Sequence, residues 1–265
     1  MSFSQWLFGG IDNPYKAGQW GPLHIATLVT CAVLILGFRY LAAHAGNQER
    51  TKKRILCTLV GSILFLEIMI RFVNCVGPYV QGQPPLDGAT LLSSLLPRPW
   101  CAIACWSLIA SMIVKKAFFY NFASLSALLC AIVFFIYPGV GYNNVYLLFD
   151  NWYSILTHAL LLVTSTVMMV FKYTVFYYRH FWKMALCFAL TFVYAFMEIF
   201  VLKLHADPLY FMPHGDIQED ILRLSYGVYL FGYILLIIVY INVPYLISDR
   251  EAVKRLFLKH EEVKE

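Results

Sequence analysis

Residues 226–247 read YGVYLFGYILLIIVYINVPYLI, without a single Asp, Glu, Lys, Arg or His. A helix of about 20 apolar residues, rising about 1.5 Å per residue, spans the hydrocarbon core of a bilayer. In lipid such a segment satisfies its own backbone hydrogen bonds, whereas in water it would expose an apolar surface all round. Comparable runs lie at about Pro22–Ala43, Arg54–Cys75, Phe118–Tyr137, Trp152–Phe171 and Met184–Leu204. A further run starts near Arg98 and ends at Lys115 and Lys116. The short stretch LLSSLL, residues 91–96, cannot cross alone. These readings predict an all-α polytopic membrane protein, a seven-transmembrane-helix bundle. Its organisation is an amphipathic lead-in at 1–21, a membrane domain at 22–248 and a charged tail at 249–265.

The composition agrees with that reading. Hydrophobic residues make up 60% of the chain and charged residues 13%, where a soluble domain is nearer a half and a quarter. The mean hydropathy is +0.67. The net charge of +5 does not point to nucleic acid, because the basic residues sit in short loops between apolar runs. There they set orientation. Arg50, Lys52, Lys53 and Arg54 fall between spans one and two, and Lys115 and Lys116 between three and four. Lys172, Arg179 and Lys183 fall between five and six, and Arg250, Lys254, Arg255 and Lys259 in the tail. The alternate loops hold only Arg98, Lys203 and Arg223. The positive-inside rule then predicts an external N-terminus and a cytoplasmic C-terminus in a cell membrane.

Seven cysteines lie within or beside apolar segments, with no CxxC pair, so neither a disulfide framework nor a zinc site is expected. His205, His214 and Asp207 share no ligand spacing, and no metal or cofactor is expected. No P-loop, GxGxxG or GxSxG stands in a strand–helix context, which argues against nucleotide binding and a serine-hydrolase elbow.

Ionisable groups inside a span are costly and therefore informative. Glu67 and Arg71 are four apart on one helix face and can pair. Cys101 lies in the first turn of the third span, His158 about two turns into the fifth, and Glu198 towards the end of the sixth. Asp207 follows that span, and His24 reads as an interfacial residue. Each has a plain structural reading: packing for the cysteine, a hydrogen-bond bridge for the histidine, an ion pair for Glu67 and Arg71. Counted from the charge-poor loops, Glu67, Arg71, Cys101, His158 and Glu198 share one depth band, which suggests a common outward-facing pocket.

The stretch Leu96-Pro97-Arg98-Pro99-Trp100-Cys101, followed by Lys115-Lys116-Ala117-Phe118-Phe119-Tyr120-Asn121-Phe122, resembles the bacterial YwaF-type membrane proteins and, more distantly, the animal transmembrane protein 164 family. The Pro138-Gly139 turn with Asn143 and Asn144, the helix bearing His158, and the segment Ala206-Asp207-Pro208-Leu209-Tyr210 fit the same pattern. Two residues before the cysteine, where the bacterial motif carries histidine, this chain has Pro99. The resemblance to the animal family implies a fatty acyl transfer between lipids, with Cys101 as nucleophile and His158 as its base. Arg98, one turn away, and the helix start both favour a thiolate. Free backbone N–H groups at that helix start can meet the developing oxyanion. Glu67, Arg71, Asn121, Asn144, Glu198, Asp207 and Tyr210 are expected to support the site or bind substrate. The expected partner is a phospholipid or other membrane lipid; the oligomeric state is not legible. A lipid hydrolase using the same pair, and a non-catalytic transporter or receptor, remain alternatives. Span seven has no lysine for a retinal Schiff base, and no inverted repeat is evident.

Overall fold

The computed structural model describes residues 7, 20–84, 86–137, 142, 148–204, 209–210, 212–213 and 222–249. Apart from Leu7, Trp20, Gly21 and Asp249, the lead-in and the tail lie outside the described residues. Among the described residues every regular element is helical.

Helix α1 spans Pro22–His44 and opens on a proline, whose missing N–H has no intrahelical partner to lose there. Helix α2 spans Gln48–Val80, and the Asn47 side chain caps it by accepting the Arg50 N–H at 2.9 Å. Its 33 residues reach about 50 Å, well beyond the hydrocarbon core, so the basic residues 50–54 lie in turns that overrun the apolar stretch. Helix α3 is the short Gly88–Leu95, capped by the Asp87 carboxylate, which accepts the Thr90 N–H at 2.7 Å. Hydrogen bonds from the Thr90 side chain and, less strongly, from its N–H hold the Asp87 carboxyl below the usual carboxylate range.

Helix α4 is Trp100–Val114 and stops at Lys115, which takes a left-handed conformation (φ 52°). Helices α5 and α6 are Ala117–Ile136 and Phe149–Val170. A single 3-10 turn, Tyr178–His180, leads into α7, Phe181–Phe196, which loosens into a π-turn at Met197–Val201. Helix α8 is Tyr226–Ser248.

Among the described residues six segments are long and apolar enough to cross a membrane singly. The expected third span is different. At 15 residues α4 is too short for a straight crossing, but α3 and α4 together pass the same test as a pair bent by 56°. The LLSSLL stretch, set apart in the sequence reading, is therefore the first limb of a bent helix pair. Leu96-Pro97-Arg98-Pro99 forms the corner, since prolines cannot supply the N–H groups that would continue the helix.

The chain forms two compact units, Met1–Lys115 with Ala123–Tyr173 and Lys116–Phe122 with Thr174–Glu265. In the first, α1 and α2 both pack on α6, and α2 also packs on α4. Ala123, Ala127 and Ala131 make a fully buried small-residue stripe along α5, a surface that lets helix backbones approach closely. Beside it, Trp100 Nε1 donates to Ser126 Oγ at 2.8 Å and Ser124 Oγ to the Ser165 carbonyl at 3.1 Å. His24, expected at the interface, is fully buried, with its ring against Trp20, Phe135 and Tyr142.

In the second unit the anchor is Tyr245, fully buried among Phe176, Tyr178 and Phe181. Its hydroxyl accepts from Asn121 Nδ2 at 2.9 Å.

Candidate functional site

The most polar buried cluster begins with Glu67, fully buried on α2. A lone carboxylate there would be prohibitively costly, and side-chain donors hold both of its oxygens. Arg71, one turn along the same helix, reaches Oε2 through Nη1 at 2.6 Å, and the same nitrogen donates to the Glu67 carbonyl at 2.9 Å. Tyr153, in the first turns of α6, donates its hydroxyl to Oε1 at 2.7 Å. The Arg71 guanidinium has further work: Nε donates to the carbonyl of Leu95, the last residue of α3, at 3.0 Å. Its carbon stands 5.2 Å from the centre of the Trp106 ring of α4. One ion pair thus reaches α2, α3, α4 and α6.

Cys101 sits beside that cluster in the first turn of α4. The Pro99 carbonyl accepts the Ala102 N–H at 2.9 Å and more weakly that of Ile103 at 3.3 Å. As a residue Cys101 is half-buried. Its electrostatic neighbours include the N–H groups of Cys101 and Ala102 and the carboxylate of Glu67. Cys105, one turn further, has Glu67, Cys101 and Cys130 as neighbours. Arg98 lies in the α3–α4 corner, where Nη2 donates to the Ser93 hydroxyl.

His158 is buried on α6. Its Nδ1 lies 2.7 Å from the Ser154 carbonyl and its ring stacks on Phe134 of α5 at 3.8 Å and 8°. A carbonyl can only accept, so Nδ1 carries the proton and Nε2 holds the lone pair, the tautomer a base requires. Cys130 neighbours Cys101 and Phe134 stacks on His158, and these two α5 residues are four apart.

The other expected site residues are placed as follows. Asn121, fully buried, spends its amide on backbone: Nδ2 donates to the Val175 carbonyl at 2.8 Å and Oδ1 accepts the Val175 N–H at 2.9 Å. Glu198, fully buried in the π-turn of the second unit, accepts from the Tyr194 hydroxyl at 2.8 Å. In the same unit the Tyr210 carbonyl accepts from the Tyr229 hydroxyl, and the Leu209 carbonyl from that of Tyr233 at 2.8 Å. Asn144 and Asp207 lie outside the described residues, as do His205 and His214. Among the described residues no group of three or more His, Cys, Asp or Glu is arranged to hold a metal ion.

The sequence reading missed Tyr153, Cys105 and Cys130. Tyr153 near a helix start looks like a member of the aromatic belt. A helical register would have flagged Cys105, four residues after Cys101 and on the same face.

The family described as the TMEM164 family has a sequence model that matches residues 19–245. The chain belongs to the TMEM164 family. The match runs from before α1 to the last turn of α8, so it takes in the Glu67 cluster, Cys101 and His158. This TMEM164-family protein is an all-helical, multi-pass membrane protein. Neither a curated protein nor a solved structure matches it.

Proposed function

We propose that this TMEM164-family protein is a membrane-embedded acyltransferase that carries a fatty acyl group between lipids on Cys101, at the outer leaflet of the cell membrane. The observation that carries the reading is the setting of Cys101. Its thiol lies at a helix N-terminus, beside the N–H groups of Cys101 and Ala102, and near a carboxylate whose charge Arg71 partly offsets.

In the first half-reaction His158 Nε2 takes the thiol proton and the thiolate sulfur attacks the ester carbonyl of a donor lipid. The oxyanion forms over the first turn of α4, where backbone N–H groups and the helix dipole favour negative charge. Collapse breaks the ester C–O bond, and the leaving lipid alkoxide takes the proton back from His158. The second half-reaction runs in reverse with a different lipid hydroxyl, and Cys101 regains its proton. Arg98, at the corner before Cys101, contributes positive charge near the thiolate. The alternation of basic loops supports the outward orientation.

The test is transfer of a labelled acyl chain from phospholipid to lysophospholipid by purified protein in proteoliposomes. Cys101→Ser is expected to abolish transfer and His158→Ala to lower it by about 10²–10⁴-fold. A folded Cys101→Ser protein that transfers at the wild-type rate overturns the proposal. Omitting the acceptor separates transfer from hydrolysis. A transferase then releases one lysolipid per active site, whereas a hydrolase continues to release free fatty acid.

A further inference from the structure

We infer that Tyr153 is a positioning residue for Cys101, acting through the Glu67–Arg71 pair. The inference deepens the acyltransferase reading and rests on it. It starts from a division of labour on one carboxylate. Glu67 Oε2 is held within its own helix by Arg71, but Oε1 is held from another helix by the Tyr153 hydroxyl. A structural ion pair inside α2 would need only the first contact. The second couples α6, the helix that also carries His158, to the group that borders the Cys101 and Cys105 thiols.

The mechanical route is short. Arg71 fixes the last carbonyl of α3 and lies over Trp106 of α4. Only residues 96–99 separate α3 from α4, so holding Leu95 and Trp106 sets where the first turn of α4 begins. The electrostatic route is shorter. Negative charge on Glu67 opposes a thiolate at Cys101, and each donor that shares the charge weakens the opposition. Tyr153 supplies one of those side-chain donors, and it does so from the helix that carries His158, five residues further on.

Removing the hydroxyl and removing the charge must then have opposite effects on the Cys101 thiol. In Tyr153→Phe the carboxylate keeps its charge and loses a donor, so thiolate formation is hindered. In Glu67→Gln the opposing charge disappears while Arg71 stays positive, so thiolate formation is helped. A role confined to packing cannot produce that inversion, because both changes damage the same contact.

The experiment is alkylation by iodoacetamide of the full-length protein in phosphatidylcholine nanodiscs at fixed pH, with Cys101 followed by peptide mass spectrometry. Tyr153→Phe is expected to slow labelling by about three- to tenfold, less than the full effect of one lost hydrogen bond to a charged group because the thiol feels that loss only through Glu67. Glu67→Gln is expected to speed it by a similar factor. Acyl transfer by Tyr153→Phe should lose kcat with KM retained. Labelling slowed in both variants, or unchanged in both, overturns the inference. The labelling reads the thiol without any transfer step, so a failure of the acyltransferase reading shows separately, as transfer that survives in Cys101→Ser.

Discussion

Asn121 is the residue whose part in the molecule changes most between sequence and structure, and Asn121→Leu measures it. The substitution keeps the side-chain volume and removes three hydrogen bonds. These are Nδ2 to the Val175 carbonyl (2.8 Å), Nδ2 to the Tyr245 hydroxyl (2.9 Å) and the Val175 N–H to Oδ1 (2.9 Å). Side-chain hydrogen bonds within membrane proteins average about 0.6 kcal/mol and reach about 1.7. A buried polar group left without a partner costs about 1–3 kcal/mol. Tyr245 is fully buried and bears the larger cost, while Val175 is partly exposed and can recover part of its own. The sum is a destabilisation of about 3 kcal/mol. It can be read from reversible unfolding in mixed detergent–lipid micelles, followed by tryptophan fluorescence. Asn121→Asp is the control: it keeps the acceptor for Val175 but aims a carboxylate oxygen at the Val175 carbonyl, so it should destabilise at least as much. If Asn121→Leu falls within about 0.5 kcal/mol of the wild type, the range of an inconsequential surface change, the clamp does not hold the second unit.

Three further outcomes follow from local geometry. Trp100→Phe removes the buried bond to Ser126 and should cost about 1 kcal/mol; combined with Ser126→Ala the loss should be clearly less than additive in a double-mutant cycle. Asp87 caps α3 with a carboxyl held below its usual range. Its contribution is therefore present above the unfolded carboxylate pKa and lost as pH falls through the lower folded value. Protection of the α3 amides from hydrogen exchange, corrected for intrinsic rates, should drop at acid pH in the wild type and show no such titration in Asp87→Asn. If the bent α3–α4 pair is one crossing, an impermeant thiol reagent applied outside should label Gln83→Cys but not Lys116→Cys until the membrane is opened; labelling of both from one face would make the pair a re-entrant loop.

The spans were legible because the bilayer imposes a length rule that short loops cannot disguise. With its π-turn included, α7 falls within three residues of its apolar run, as do α1, α5, α6 and α8, while α2 overruns its own by six residues at one end and five at the other. The third segment was read only in its second limb, α4, because its apolar length is split across Pro97 and Pro99, and neither half alone reaches the length a single crossing requires. The pairing of Glu67 with Arg71 was visible at helical spacing. The donor on the other carboxylate oxygen was not, since it comes from Tyr153, 86 residues away along the chain. Asn121 was noticed for its motif, but what it binds is Val175 and Tyr245, contacts that no local pattern encodes. The π-turn around Glu198 carries no sequence signal stronger than the buried acid itself.

The central claim is that Cys101 forms a covalent bond to the acyl chain in transit. Intact-protein and peptide mass spectrometry after incubation with a phospholipid of defined acyl composition, without acceptor, tests it most directly. The expected result is one acyl adduct on Cys101, released by neutral hydroxylamine, absent in Cys101→Ser and strongly reduced in His158→Ala. Acyl transfer that proceeds while Cys101 stays unmodified, or an adduct carried by another residue, would contradict the account.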